Sequence, residues 1–148
     1  MIEGLCGHLG LSLDEVIWFE HGSVLRGSPV GCGTDHAHIH VILRPRFSFN
    51  AFMSCANSMA ELDWSETAAD RAYSSLPEQD SYLLAGSGKQ VFWASNVETT
   101  GSQFLRRVVS KVTDQAEFWD YRRYSHAGNI AQTIDTFRSL ENAAPRGR

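Results

Sequence analysis

Nothing in the sequence approaches the roughly 18 consecutive apolar residues that a bilayer-spanning helix needs, which argues against a membrane protein of that kind. The opening Met1-Ile2-Glu3-Gly4-Leu5-Cys6-Gly7-His8 has no basic stretch followed by an apolar one, so no secretory signal is visible. Cysteine is scarce: Cys6, Cys32 and Cys55 are an odd number at irregular spacing with no CxxC pair. They read as reduced thiols rather than a disulfide framework, and the expected location is the cytoplasm. Positive charge is also short, with 13 Lys and Arg against 17 Asp and Glu, a net charge of −4. That speaks against a broad basic face for a nucleic-acid polymer, but not against a small phosphate ester, whose binding depends on the local field of a cleft. There is no internal repeat. There is no phosphate loop either: in Gly86-Ser87-Gly88-Lys89 the first glycine of GxxxxGK[ST] would fall on Leu83, and Gln90 replaces the Ser or Thr.

What is present is a globular composition, 43% hydrophobic and 11% aromatic over 148 residues, enough for one domain with one main core. The domain is expected over 1–141, with 142–148 a disordered tail of Ala, Pro, Gly and Arg. The most informative stretch is Thr34-Asp35-His36-Ala37-His38-Ile39-His40-Val41-Ile42-Leu43. Three histidines alternate with apolar residues, which is the period of a β-strand. On a strand, His36, His38 and His40 project from one face about 6–7 Å apart, while Ala37, Ile39 and Val41 point into a core.

Glu15-Val16-Ile17-Trp18-Phe19-Glu20 is a compact apolar run and a candidate buried strand, antiparallel to the histidine strand across a loop containing Gly22, Gly27, Pro29, Gly31 and Gly33. Pro45, in Arg44-Pro45-Arg46, ends the second strand because it cannot donate to a ladder. Residues 1–10 are poorly patterned and read as the end of a helix. Phe52, Met53, Ala56, Met59 and Ala60 have helical spacing, predicting a core-packing helix over 49–62. A second short helix is expected from Ser65 to Leu76, closed by Pro77. Residues 81–86 and 90–95 read as a hairpin. Phe104, Leu105, Val108, Val109 and Val112 make one apolar helical stripe, with Ser102 as its expected N-cap and Arg106, Arg107 and Lys111 off it. Phe118 to Tyr124 is aromatic and basic, a pattern that cation–π packing explains. Ile130, Ile134, Phe137 and Leu140 predict a last helix of about three turns.

Three imidazoles on a strand suit two chemistries. They can converge on zinc or iron, or one can attack phosphorus while its neighbours hydrogen-bond the non-bridging oxygens, since imidazole is nucleophilic near neutral pH and leaves readily in a second step. No Asp, Glu or Cys follows His40 closely to serve as a fourth ligand, and Arg44 and Arg46 suit an anionic ester, so the residues favour phosphorus chemistry. The helix start at Ser102 and Gln103 would then be an anion-facing terminus.

Asp35-His36-Ala37-His38-Ile39-His40-Val41-Ile42 resembles the histidine triad (HIT) signature, His-x-His-x-His followed by two apolar residues. Glu20-His21-Gly22 and Gly31-Cys32-Gly33 look like the loop before that motif in bacterial members. Gly101-Ser102-Gln103-Phe104-Leu105-Arg106-Arg107, Trp119-Asp120-Tyr121-Arg122 and Asn129-Ile130 are similar to the C-terminal extension of some of them. Residues 15–44 carry most of the likeness. The resemblance implies an α+β fold with an antiparallel sheet and flanking helices, commonly dimeric. It implies a nucleotide hydrolase or transferase acting at the α-phosphate of a nucleotide conjugate or dinucleoside polyphosphate, with no metal or cofactor. It makes His38 the nucleophile of a nucleotidyl-histidine intermediate, His40 a ligand of phosphate oxygens, and His36 a hydrogen-bonding member of the triad.

Two departures stand out. Cys32 and Gly33 occupy positions where many members carry Gln and a hydroxyl residue, so leaving-group and phosphate contacts are expected from Ser102 or Gln103. Members also have several strands and a helix before the Glu-His-Gly segment, whereas this chain is short there. The domain is therefore expected to lack the usual front half and its nucleoside pocket. The rival readings are a metal-dependent enzyme with a three-His site and a non-catalytic nucleotide-binding or dimerisation module.

Overall fold

The apolar run after the short 3₁₀ turn Leu13–Glu15 forms strand β1, Val16–Gly22, buried at every position. In the computed structural model the described residues are 1–23, 38–76, 80–120, 123–125 and 127–143. The fold is α+β. Strands β1, β2 (Ile39–Leu43), β3 (Ser65–Thr67), β4 (Tyr82–Ser87) and β5 (Gln90–Ala94) form one antiparallel sheet in the order β2-β1-β4-β5-β3. Helices α1 (Ile2–Leu9), α2 (Phe49–Met59), α3 (Phe104–Val112) and α4 (Ala127–Ala143) flank it. The expected pairing of the apolar run with the histidine strand holds, and β3, β4 and β5, all downstream, extend the sheet on the far side of β1.

Alternation along β1 divides the core in two. Ile17 and Phe19 face Phe52 and Ala56 of α2 and Phe104, Leu105 and Val108 of α3. Val16 and Trp18 face the opposite side. There Val16 joins Cys6 and Leu9 of α1 and Leu140 of α4, and Trp18 joins Ala72 and Leu84. Ile39 and Val41 pack on this second side, as expected from their alternation with the histidines, while Ala37 lies outside the described residues. The thiols of Cys6 and Cys55 are both free, while Cys32 lies outside the described residues.

Local chemistry sets several boundaries. Ser48 caps α2 by accepting the Ala51 amide at 3.1 Å. Arg44 ends β2 in a left-handed conformation, φ 47°, and is held by Glu15, which accepts from its Nε at 3.0 Å. Gly88, φ 58°, makes the two-residue turn between β4 and β5, so the Gly-Ser-Gly-Lys segment is a hairpin.

Three helix expectations need correction. The helix expected over 65–76 does not form: Ser65–Thr67 is edge strand β3, and Ala69–Arg71 and Tyr73–Ser75 are 3₁₀ turns. Hydroxyl side chains bond locally there, Ser74 and Ser75 to the Arg71 carbonyl at 3.0 Å each and Thr67 with Ser75 at 2.9 Å, and such bonds compete with helix. Helix α2 stops at Met59 rather than 62, as the chain folds back and Trp64 donates to Asn57 at 2.9 Å. Helix α4 runs 17 residues, well beyond three turns, and takes in Asn142 and Ala143 of the expected tail. The remainder of that tail, 144–148, lies outside the described residues.

On the second side of the sheet, two aromatic rings lie across glycines of the neighbouring strand. Trp18 covers its register partner Gly86, and Tyr82 covers its partner Gly22. Lying over Gly22 lets the Tyr82 hydroxyl donate to Glu20, whose other oxygen accepts from Tyr73 at 2.8 Å. The Glu20 carboxylate, only 3% exposed, is thus held by two phenols. Burial, and then the bond to Glu20, push both phenol pKa values up.

A Cβ at Gly86 would lie 2.6 Å from the Trp18 indole, and one at Gly22 would lie 2.0 Å from the Tyr82 ring. Gly86→Ala and Gly22→Ala are each expected to lower the urea-unfolding free energy by about 1–3 kcal/mol through forced ring displacement. Equal stability of either variant and the parent would contradict this packing.

Candidate functional site

Register brings the histidines together. Phe19 of β1 pairs with His40 of β2, and two residues along from each stand His21 and His38. All four rings therefore sit on the side covered by α2 and α3. His40 stacks on Phe19 with centroids 4.8 Å apart, His38 lies 4.6 Å from His40, and His21 stands edge-on to His40 at 6.2 Å. Two of the three histidines singled out by alternation are thus neighbours, as expected. His36, along with 24–37, lies outside the described residues.

His21 joins the group from the other strand. It is 3% exposed, and its Nε2 accepts the backbone N–H of Leu105 at 2.9 Å. Leu105 is in the first turn of α3, where amides have no partner within the helix, so the imidazole serves as a cap supplied from the sheet. This bond places the ring proton on Nδ1 and requires a neutral ring. Burial lowers the His21 pKa to about 3, helped by charge on His40, His38, Arg106 and Arg107. His40 is lowered to about 4, first by burial and then by His38 and Arg106. Both rings are neutral at pH 7.

The start of α3 differs from the expected Ser102 cap. The residue before the helix is Gln103, in a left-handed conformation with φ 56°, and Ser102 is exposed one position earlier. Gln103 is 4% exposed, and its side-chain oxygen accepts from the Arg106 guanidinium at 2.5 Å. Arg106 and His40 line the same cleft, whereas Gln103 braces the arginine from within the fold. Neighbouring Arg107 donates to the Thr100 carbonyl and lies between the rings of Phe104, at 5.6 Å, and Trp119, at 6.0 Å. The arginine over Trp119 is thus supplied by α3, whereas the expected packing concerns the segment's own arginines, of which Arg122 lies outside the described residues.

Sequence reasoning gave no role to His21 or Arg106. A histidine at the end of a buried strand, two residues after Phe19, and an arginine three residues from Gln103 were the available signals. Among the described residues no three His, Cys, Asp or Glu side chains gather in a metal-ligating arrangement. No described helix is long and apolar enough to cross a membrane. Comparison with known family models, with curated proteins and with solved structures finds no match in any of the three.

The neutral histidines make stability depend on acid. Their native pKa values lie below the unfolded value of about 6.5, so the unfolded chain binds protons first as pH falls. Stability is full above that pH and declines as pH drops toward about 4 for His40 and about 3 for His21. His21 alone is expected to contribute up to about 1.4 kcal/mol per pH unit over that window. His21→Gln, which keeps an acceptor for Leu105 but cannot be protonated, should flatten urea-unfolding free energies measured from pH 7.5 to 4.5. An unchanged slope would remove His21 as the source.

Proposed function

We propose that this chain is a histidine-triad-like nucleotidyl hydrolase or transferase, cleaving at the α-phosphate of a nucleotide conjugate or dinucleoside polyphosphate. The observation that carries the reading is the adjacency of the His38 and His40 imidazoles, 4.6 Å apart, with Arg106 lining the same cleft as His40. The sequence resemblance around His36, His38 and His40 supports it. The reading brings with it a homodimer acting in the cytoplasm.

In this mechanism an imidazole nitrogen of His38 attacks the α-phosphorus. The bond from phosphorus to the leaving group breaks, and its electron pair departs with that group, which takes up a proton. Water then attacks phosphorus, the P–N bond to His38 breaks, and a nucleoside monophosphate leaves; in a transferase another acceptor replaces water. His40 is neutral at pH 7 and can donate a hydrogen bond to a non-bridging oxygen. Arg106 offsets the charge that builds on those oxygens, commonly the largest contribution to rate. Gln103 fixes Arg106. Ser102, exposed at the helix start, is the candidate hydroxyl near the leaving group, and His36 completes the triad. His21 is a positioning residue, holding α3 against β1 through Leu105.

His38→Ala is expected to reduce turnover of a dinucleoside polyphosphate by about a thousandfold or more, and to abolish acid-labile covalent labelling by a radiolabelled nucleotide. Turnover that survives this change would overturn the nucleophile assignment. Turnover lost on chelation and restored by zinc or iron would favour the three-His metal reading instead.

A further inference from the structure

Beside His40 the fold leaves a cleft of about 420 Å³ whose walls differ in character. One wall carries His40 and Arg106. The segment after α3 and the first turn of α4 also line the cleft, with Phe118, Trp119, Asn129 and Ile130. Phe118 and Ile130 are 46% and 55% exposed, and both line this one cleft. Phe118 rests edge-on against Tyr124 with centroids 4.8 Å apart, and Ile130 lies on helix α4. Trp119 packs on Arg107, the residue next to Arg106 on α3, so one helix fixes both the cation and the aromatic wall.

We propose that this cleft is a subsite for a flat ring carried by the phosphate substrate, with the ring against Phe118 and Trp119 and the phosphate at His40 and Arg106. The inference rests on the phosphoryl reading above and adds to it: recognition of the substrate's ring comes from the C-terminal segment of this chain. Charge complementarity selects an anion at one end, and exposed aromatic and aliphatic surface selects a planar apolar group at the other. Aliphatic chains would gain from burial alone, whereas ring faces add stacking, worth about tenfold in affinity. Asn129, which also lines the cleft, offers donors and an acceptor to the edge of a heterocycle.

The test is calorimetric binding of inorganic phosphate, phenyl phosphate and adenosine 5′-monophosphate to the full chain, and to Phe118→Ala and Ile130→Ala variants. All are also measured in a His38→Ala background, where the nucleophile is gone and only binding is read. At least one ring-bearing probe is expected to bind about tenfold or more tighter than inorganic phosphate, and Phe118→Ala should shrink that ratio at least about fivefold. A gain shared by both ring-bearing probes assigns the cleft to any flat ring, while a gain for the nucleotide alone assigns it to a nucleoside; both support the subsite. No gain for either, or a gain that both variants leave intact, overturns it. Failure of covalent labelling at His38 with the ratio intact would overturn the phosphoryl mechanism and leave the subsite standing.

Discussion

One hydrogen bond, from the Leu105 amide to Nε2 of His21, joins the sheet to the helix that carries the cations. It crosses between elements far apart in sequence, and it forms only with an uncharged ring, because a protonated Nε2 has no lone pair to accept with. Together with the packing of Phe104, Leu105 and Val108 on Ile17 and Phe19, it holds α3 over β1. With α3 come Arg106 at the cleft and Arg107 between Phe104 and Trp119. The capping of a helix start by a distant histidine thus does local and long-range work together: it satisfies an amide that would otherwise lack a partner, and it fixes where positive charge stands relative to His40.

The electrostatics reinforce that arrangement. Burial first, and then charge on neighbouring groups, disfavours the charged form of His21 and His40: His38 and Arg106 act on both, and Arg107 acts on His21 as well. The cluster keeps its buried imidazoles neutral, the form that can both donate and accept hydrogen bonds, while the guanidinium groups supply the fixed positive field. On the proposed phosphoryl reading, a phosphate ester entering the cleft would meet donors already in place, the condition under which charge stabilisation is strongest.

Much of the sheet was legible in the sequence. Alternation and apolar runs located β1, β2 and the β4–β5 hairpin because strand faces follow a period of two and Gly88 marks the turn. The proximity of His38 and His40 followed from the same rule. What the pattern did not reveal depends on side chains reaching out of their own element. The segment 65–76 looked helical by composition, but its hydroxyls bond their own backbone and Ser65–Thr67 finds a partner in β5. Ser102 looked like a cap because it has the usual chemistry, whereas the amide it was to serve is taken by His21, 84 residues away in sequence. Arg106 reads in the sequence only as a residue off the apolar stripe, and its bond to Gln103 and its place at the cleft appear with the fold.

The Glu20 clasp on the reverse of the sheet has a reach beyond its own surroundings. Glu20 and His21 are consecutive, so the peptide that Tyr73 and Tyr82 immobilise from behind is the one that aims an imidazole at α3 in front. Tolerance to sequence drift will therefore be low on the face of the sheet away from the histidine cleft. Changes at Tyr73, Tyr82 or Gly22 should surface in a mutational survey as losses that distance from the cleft alone would not foretell.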